Sequence, residues 1–139
     1  QQKVITVTET YGNAVPKIIK TYKESNDKFE LVKSISLHTN GQKESEESYK
    51  NGKKDGKWTE WYKSGQKRIE GTWKNGKKDG KGIGWNENGQ KVFEGIQKDG
   101  KINGKSTVWY DNGQKWIEGI YKDGKLIEAT HWDEDGNKK

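Results

Sequence analysis

The stretch GQKWIEGIYKDGK, residues 113–125, appears earlier in the chain as GQKRIEGTWKNGK (65–77) and GQKVFEGIQKDGK (89–101). Near-copies at a fixed step mark a repeat, and the step sets the architecture. Gly-Gln stands at 41/42, 65/66, 89/90 and 113/114, each 24 residues after the last, and Gly136-Asn137 follows one residue early. A second row runs in phase: Asn51-Gly52-Lys53, Asn75-Gly76-Lys77, Asp99-Gly100-Lys101 and Asp123-Gly124-Lys125. A third, Asp55-Gly56-Lys57, Asp79-Gly80-Lys81 and Asn103-Gly104-Lys105, is missing from the last unit, where Leu126-Ile127-Glu128 runs on.

Asn-Gly and Asp-Gly readily take the positive φ of tight hairpins, because Gly has no Cβ and Asn or Asp tolerates the left-handed region. All three rows are therefore expected as turns. The segments between them, such as 66–73 and 81–87, have strand length. The expected fold class is all-β: an elongated, single-layer antiparallel β-meander of repeated hairpins with a 24-residue period. Composition agrees. Of 139 residues only 27% are hydrophobic and 35% are charged, too little for a thick core, yet 7 Trp, 6 Tyr and 2 Phe supply large rings to a thin one.

Alternation assigns faces. Lys67, Ile69, Gly71 and Trp73 share one face of the first strand in a unit; Trp61, Trp85, Trp109 and Trp132, with Thr59, Ile83, Thr107 and Thr130 two residues earlier, share one face of the second. The predicted core joins the four tryptophans to Ile69, Phe93, Ile117, Tyr49, Trp73 and Tyr121, with Gly119 leaving room for a ring to lie against backbone. Glu46, Glu70, Glu94 and Glu118 are expected on the opposite face, about 10 Å apart, as a solvated ladder paired with lysines.

Before the repeats, 16–22 and 29–35 alternate like strands around a polar turn at 23–28. The chain divides into a divergent N-terminal β capping unit (1–34), hairpin repeats (35–136) and a charged tail (137–139), with Pro16 at the capped edge.

The net charge is +6, and every basic residue except Arg68 is lysine. Lysine lacks the guanidinium fork of base and phosphate recognition, so nucleic acid is an unlikely partner. The absence of cysteine removes disulfides, thiolate metal sites and cysteine nucleophiles. A start at Gln1 without Met fits a processed, extracytoplasmic protein, secreted or in the cell envelope, with a cytoplasmic one as the alternative.

Catalytic chemistry finds no foothold. Residues 100–106 resemble a phosphate loop but are one residue short between the glycines and lead into a strand. His38 and His131 fall in different units, no serine has a His-Asp set, and 133–136 is too compressed for a calcium loop. No cofactor, metal or catalytic residue is therefore assigned. What stands out is a set of aromatics that do not recur in every unit: Trp58, Tyr62, Tyr110 and Trp116, with Val108 and Arg68. They are expected opposite the tryptophan row, either as a recognition patch or as braces for the sheet.

Gly-Gln-Lys, Glu-Gly, an aromatic, Asn-Gly-Lys, Asp-Gly-Lys and Trp-Tyr in this order, best seen in NGKKDGKWTEWYKSGQKRIEG (51–71), resemble the MORN-repeat-variant family of bacteria over residues 35–136. That resemblance implies a twisted sheet of hairpins acting as a non-enzymatic scaffold for an unidentified protein partner, and some bacterial relatives are labelled antitoxins. The alternative is a module for anionic lipid surfaces or cell-envelope glycans. Related repeats accompany a lipid kinase domain in plants, but that activity needs a nucleotide cradle and metal-binding acids that are not in this sequence.

Overall fold

The computed structural model describes residues 3–139; Gln1 and Gln2, on which the expectation of a mature terminus rests, lie outside the described residues. Strands occupy β1 (Val4–Thr10), β2 (Pro16–Ser25), β3 (Lys28–Leu37), β4 (Lys43–Lys50), β5 (Lys53–Trp61), β6 (Lys67–Lys74), β7 (Lys77–Lys78), β8 (Gly80–Trp85), β9 (Lys91–Lys98), β10 (Lys101–Trp109), β11 (Lys115–Lys122) and β12 (Lys125–His131). They form one open antiparallel sheet in chain order, with short β7 on β6 beside β8. The expected all-β meander of hairpins is what the chain forms.

Two of the three glycine rows are turns. Asn51 and Gly52 take φ of 51° and 76°, and the pairs at 75/76, 99/100 and 123/124 repeat this, as a two-residue hairpin requires. The Gly-Gln row closes longer loops in which the glycine N–H and the first residue's N–H are both bonded, Gly65 to the Tyr62 carbonyl and Tyr62 to the Gln66 carbonyl.

The third row is a correction. Gly56 and Gly104 lie inside β5 and β10, Gly80 at the break between β7 and β8, all with φ near 100°. They mark irregularities in register instead of turns. Each prepares the next hairpin: the side chains of Asp55, Asp79 and Asn103 accept the backbone N–H of Asn75, Asp99 and Asp123 at 3.1, 3.3 and 3.2 Å.

The N-terminal region adds β1, which the sequence reading did not assign. That strand is the edge, and Pro16 is the first residue of β2 instead, a position where its missing N–H is tolerated. At the other end Lys138 pairs with Trp132 and the Lys139 N–H donates to the His131 carbonyl, so the charged tail folds back along β12.

The faces also need correcting. Thr59 pairs with Glu70, Ile83 with Glu94 and Thr107 with Glu118, which puts the tryptophan row on the glutamate face. The cause is a bulge after each Gly-Gln loop: Trp61 pairs with Lys67 but Glu60 with Ile69, so one extra residue flips the parity that alternation assumes. Ile69, Phe93, Ile117, Tyr49, Trp73 and Tyr121 therefore lie on the face opposite the tryptophans. Among the described residues no hydrophobic side chain is fully buried; Thr59, Ser106, Thr107 and glycines such as Gly71, Gly95 and Gly119 are the most covered. The sheet is one layer with two open faces.

Candidate functional site: two faces of one sheet

The glutamate face is regular. Glu46 bonds Lys33 and Lys43 at 3.0 and 3.3 Å, Glu70 bonds Lys57 at 3.4 Å and also Lys67, Glu94 bonds Lys91 at 3.0 Å and also Lys81, and Glu118 bonds Lys105 and Lys115 at 3.4 and 2.8 Å. The expected lysine ladder is present. Hydrogen bonds from Lys67, from Lys81 and from Lys115, each seconded by its partner lysine, hold the Glu70, Glu94 and Glu118 carboxyls below their usual range. At Glu46 burial pushes upward, but Lys33 and Lys43 together outweigh it. Such half-exposed pairs are worth about 0.2–1 kcal/mol each, so the ladder aligns strands more than it stores energy.

Trp61, Trp85, Trp109 and Trp132 stand on the glutamate face, and the opposite face carries other large side chains, Tyr49, Trp58, Trp73 and Tyr121 among them. Register runs Ile69, Gly84, Phe93, Val108 and Ile117 across five strands. Beside this row lies a floor of small residues: Gly82 pairs with Gly95, Gly95 with Ser106 and Ser106 with Gly119. Rings lie down on the floor. A Cβ added to Gly71 would come within 3.4 Å of the Trp58 ring, and one on Gly119 within 2.8 Å of Tyr121, the use foreseen for Gly119. Trp58 and Trp73 meet edge to face, with centroids 6.2 Å apart.

Polar groups punctuate this face. The Tyr49 hydroxyl donates to Glu47 Oε2 at 2.8 Å while Lys54 Nζ donates to Oε1 at 2.9 Å. Burial and the neighbouring Glu47 charge push the Tyr49 phenol up to about 12. The Lys78 ammonium lies 5.3 Å from the Trp58 ring centre and 5.8 Å from that of Trp73.

The six residues singled out in sequence fall into separate places. Trp58 and Val108 do lie opposite the tryptophan row, but four strand steps apart, about 19 Å at the usual spacing. Tyr62 and Tyr110 lead the Gly-Gln loops and donate their hydroxyls to the Trp85 and Trp132 carbonyls at 2.8 and 3.0 Å, each bracing the next unit. Arg68 lies over the Tyr62 ring at 5.9 Å and reaches Glu60 at 3.7 Å. Trp116 stacks on Tyr110 with centroids 5.5 Å apart and stays 45% exposed.

Sequence reasoning passed over Trp73 as core and missed Lys78, Gly82 and Gly84 altogether. A signal was available. Where flanking units read KWTEW (57–61) and KSTVW (105–109), the middle one reads KGIGW (81–85). The bare position at Gly82 lines a cavity of about 210 Å³ between Trp58 and Phe93. Among the described residues no three His, Asp or Glu side chains gather to hold a metal ion.

A single-layer sheet built hairpin by hairpin, with ion pairs and a tryptophan row on one face and aliphatic and aromatic side chains without an ion-pair ladder on the other, defines a repeat scaffold. The sequence model of the MORN repeat variant matches residues 33–51, 54–75 and 102–123, so the chain carries three repeats of that family. Comparison with curated proteins finds no match.

Proposed function

We propose that the protein is a non-enzymatic scaffold that binds a protein partner through the aromatic face of its sheet. The observation that carries this is the row of Ile69, Phe93, Val108 and Ile117, with Trp58 and Trp73 beside it, which no second layer covers. A globular chain ordinarily buries such a row; left open and interleaved with lysine, it has the composition of an interface centre. Arg68 with Tyr62 and Trp116 with Tyr110 extend it towards the loop end, where aromatic and guanidinium groups are the usual anchors. An antitoxin that neutralises its target by covering it is one form this activity takes.

A second reading has its own support. The ladder counts eight lysines against four glutamates, an excess of positive charge on the glutamate face that suits anionic lipid or an acidic envelope glycan. A sheet twisting by about 20° per strand turns that face through about 120° between β4 and β11, so a flat bilayer meets only part of it.

Affinity capture from source-cell extract tests the first reading, with wild type compared against folded Val108→Glu (aromatic face) and Thr130→Glu (glutamate face). The expected result is one protein retained by wild type and Thr130→Glu and lost with Val108→Glu. Equal recovery by all three, or loss with Thr130→Glu alone, overturns it.

A further inference from the structure

The repeat breaks at one place on the aromatic face, and the preceding unit shows what is missing there. In that unit Glu47 pairs across the strands with Trp58, Lys54 holds the Glu47 carboxylate at 2.9 Å, and the Trp58 ring rests on Gly71. Twenty-four residues on, each partner changes but the lysine. Glu47 becomes Gly71, Trp58 becomes Gly82, and Lys54 becomes Lys78. Lys78 thus keeps its station over the Trp58 and Trp73 rings, and among the described residues it makes no ion pair.

The lost side chains leave a dent of about 210 Å³ over Gly71 and Gly82, walled by Trp58 and Phe93. Gln97 Oε1 at its margin and the indole N–H groups of Trp58 and Trp73 are shielded from solvent with no hydrogen-bond partner. An uncompensated ammonium beside an apolar hollow is half of a recognition site whose other half is an anion attached to a ring.

We propose that this dent takes a bulky aromatic side chain carried beside a carboxylate on an extended partner segment, the pair of groups that Trp58 and Glu47 supply one repeat earlier. The ring fills the hollow above Gly82, flanked by Trp58 and Phe93, and the carboxylate meets Lys78 where Glu47 meets Lys54. This rests on the protein-binding reading and names the motif that the partner presents.

The minimal probe is N-acetyltryptophan, with its neutral amide as control, followed by amide NMR. The expected result is saturable shifts clustered at Gly71, Gly82 and Gly95 with the acid, and binding at least fivefold weaker with the amide. Lys78→Gln, an exposed change that leaves the strands intact, should abolish the difference between the two probes. Gly82→Trp, which restores the residue of the preceding unit, should abolish binding of both. Absence of shifts at the three glycines, or equal binding of acid and amide, overturns the proposal. The two readings separate in the capture experiment. A partner lost with Val108→Glu but kept by Gly82→Trp leaves the scaffold standing and removes the dent, whereas probe binding with no captured protein leaves the dent as a site for a free aromatic acid and removes the scaffold.

Discussion

Single residues decide how close rings and backbone come. Gly95 has ordinary extended geometry, but a Cβ there would stand 3.0 Å from Phe93 Cζ and 3.3 Å from Ser106 Oγ. Gly95→Ala should therefore lower the unfolding free energy by about 1–3 kcal/mol through overpacking, and combining it with Phe93→Leu should recover part of the loss in the same thermal melts. Tyr62→Phe removes one hydroxyl bond to Trp85 and should cost about 1 kcal/mol; an unchanged melt would return Tyr62 to the free surface. Alternation within a strand was legible at this scale, since Thr59 and Trp61 do share a face. What was not legible was which face, because the bulge at Arg68 inserts one extra residue into β6 and nothing in GQKRIEG announces it.

At the scale of elements, turn chemistry was readable and its use was not. Asn-Gly at 51/52 and Asp-Gly at 55/56 are equally suited to positive φ, yet the first closes a hairpin and the second bends a strand while its Asp55 carboxylate holds the next turn. Asp79→Ala should loosen the 99/100 hairpin, seen as faster amide exchange at Asp99 and Gly100 with little change at β4. The glutamate ladder links neighbouring hairpins and gives them a pH response. Carboxyls whose folded pKa is depressed stabilise above the unfolded value of about 4.5 and lose that stabilisation as pH falls through the folded value, so the denaturation midpoint should decline below about pH 4.5. Glu70→Gln should blunt that decline. Tyr49 runs the other way: with its phenol held near 12, its contribution is present below about pH 10 and is lost between there and 12.

The whole molecule was the most legible level, because a 24-residue period of strand-length segments and turn dipeptides admits few arrangements other than a meander. The candidate surface was legible only in part: Trp58 and Val108 do lie opposite the tryptophan row, while the more telling departure, two glycines in KGIGW, reads in sequence as mere absence. The central claim is that both faces of a one-layer sheet are open, and solution scattering with mass determination tests it most directly. Eleven strands side by side span about 50 Å, giving a radius of gyration of about 16–17 Å for a single copy, against about 14 Å for a compact globule of this length. A mass near 16.0 kDa with the larger radius, steady with concentration, is the predicted result. Twice that mass, reduced to one copy by Val108→Glu, would contradict it by showing that the aromatic face is covered by a second copy of the chain.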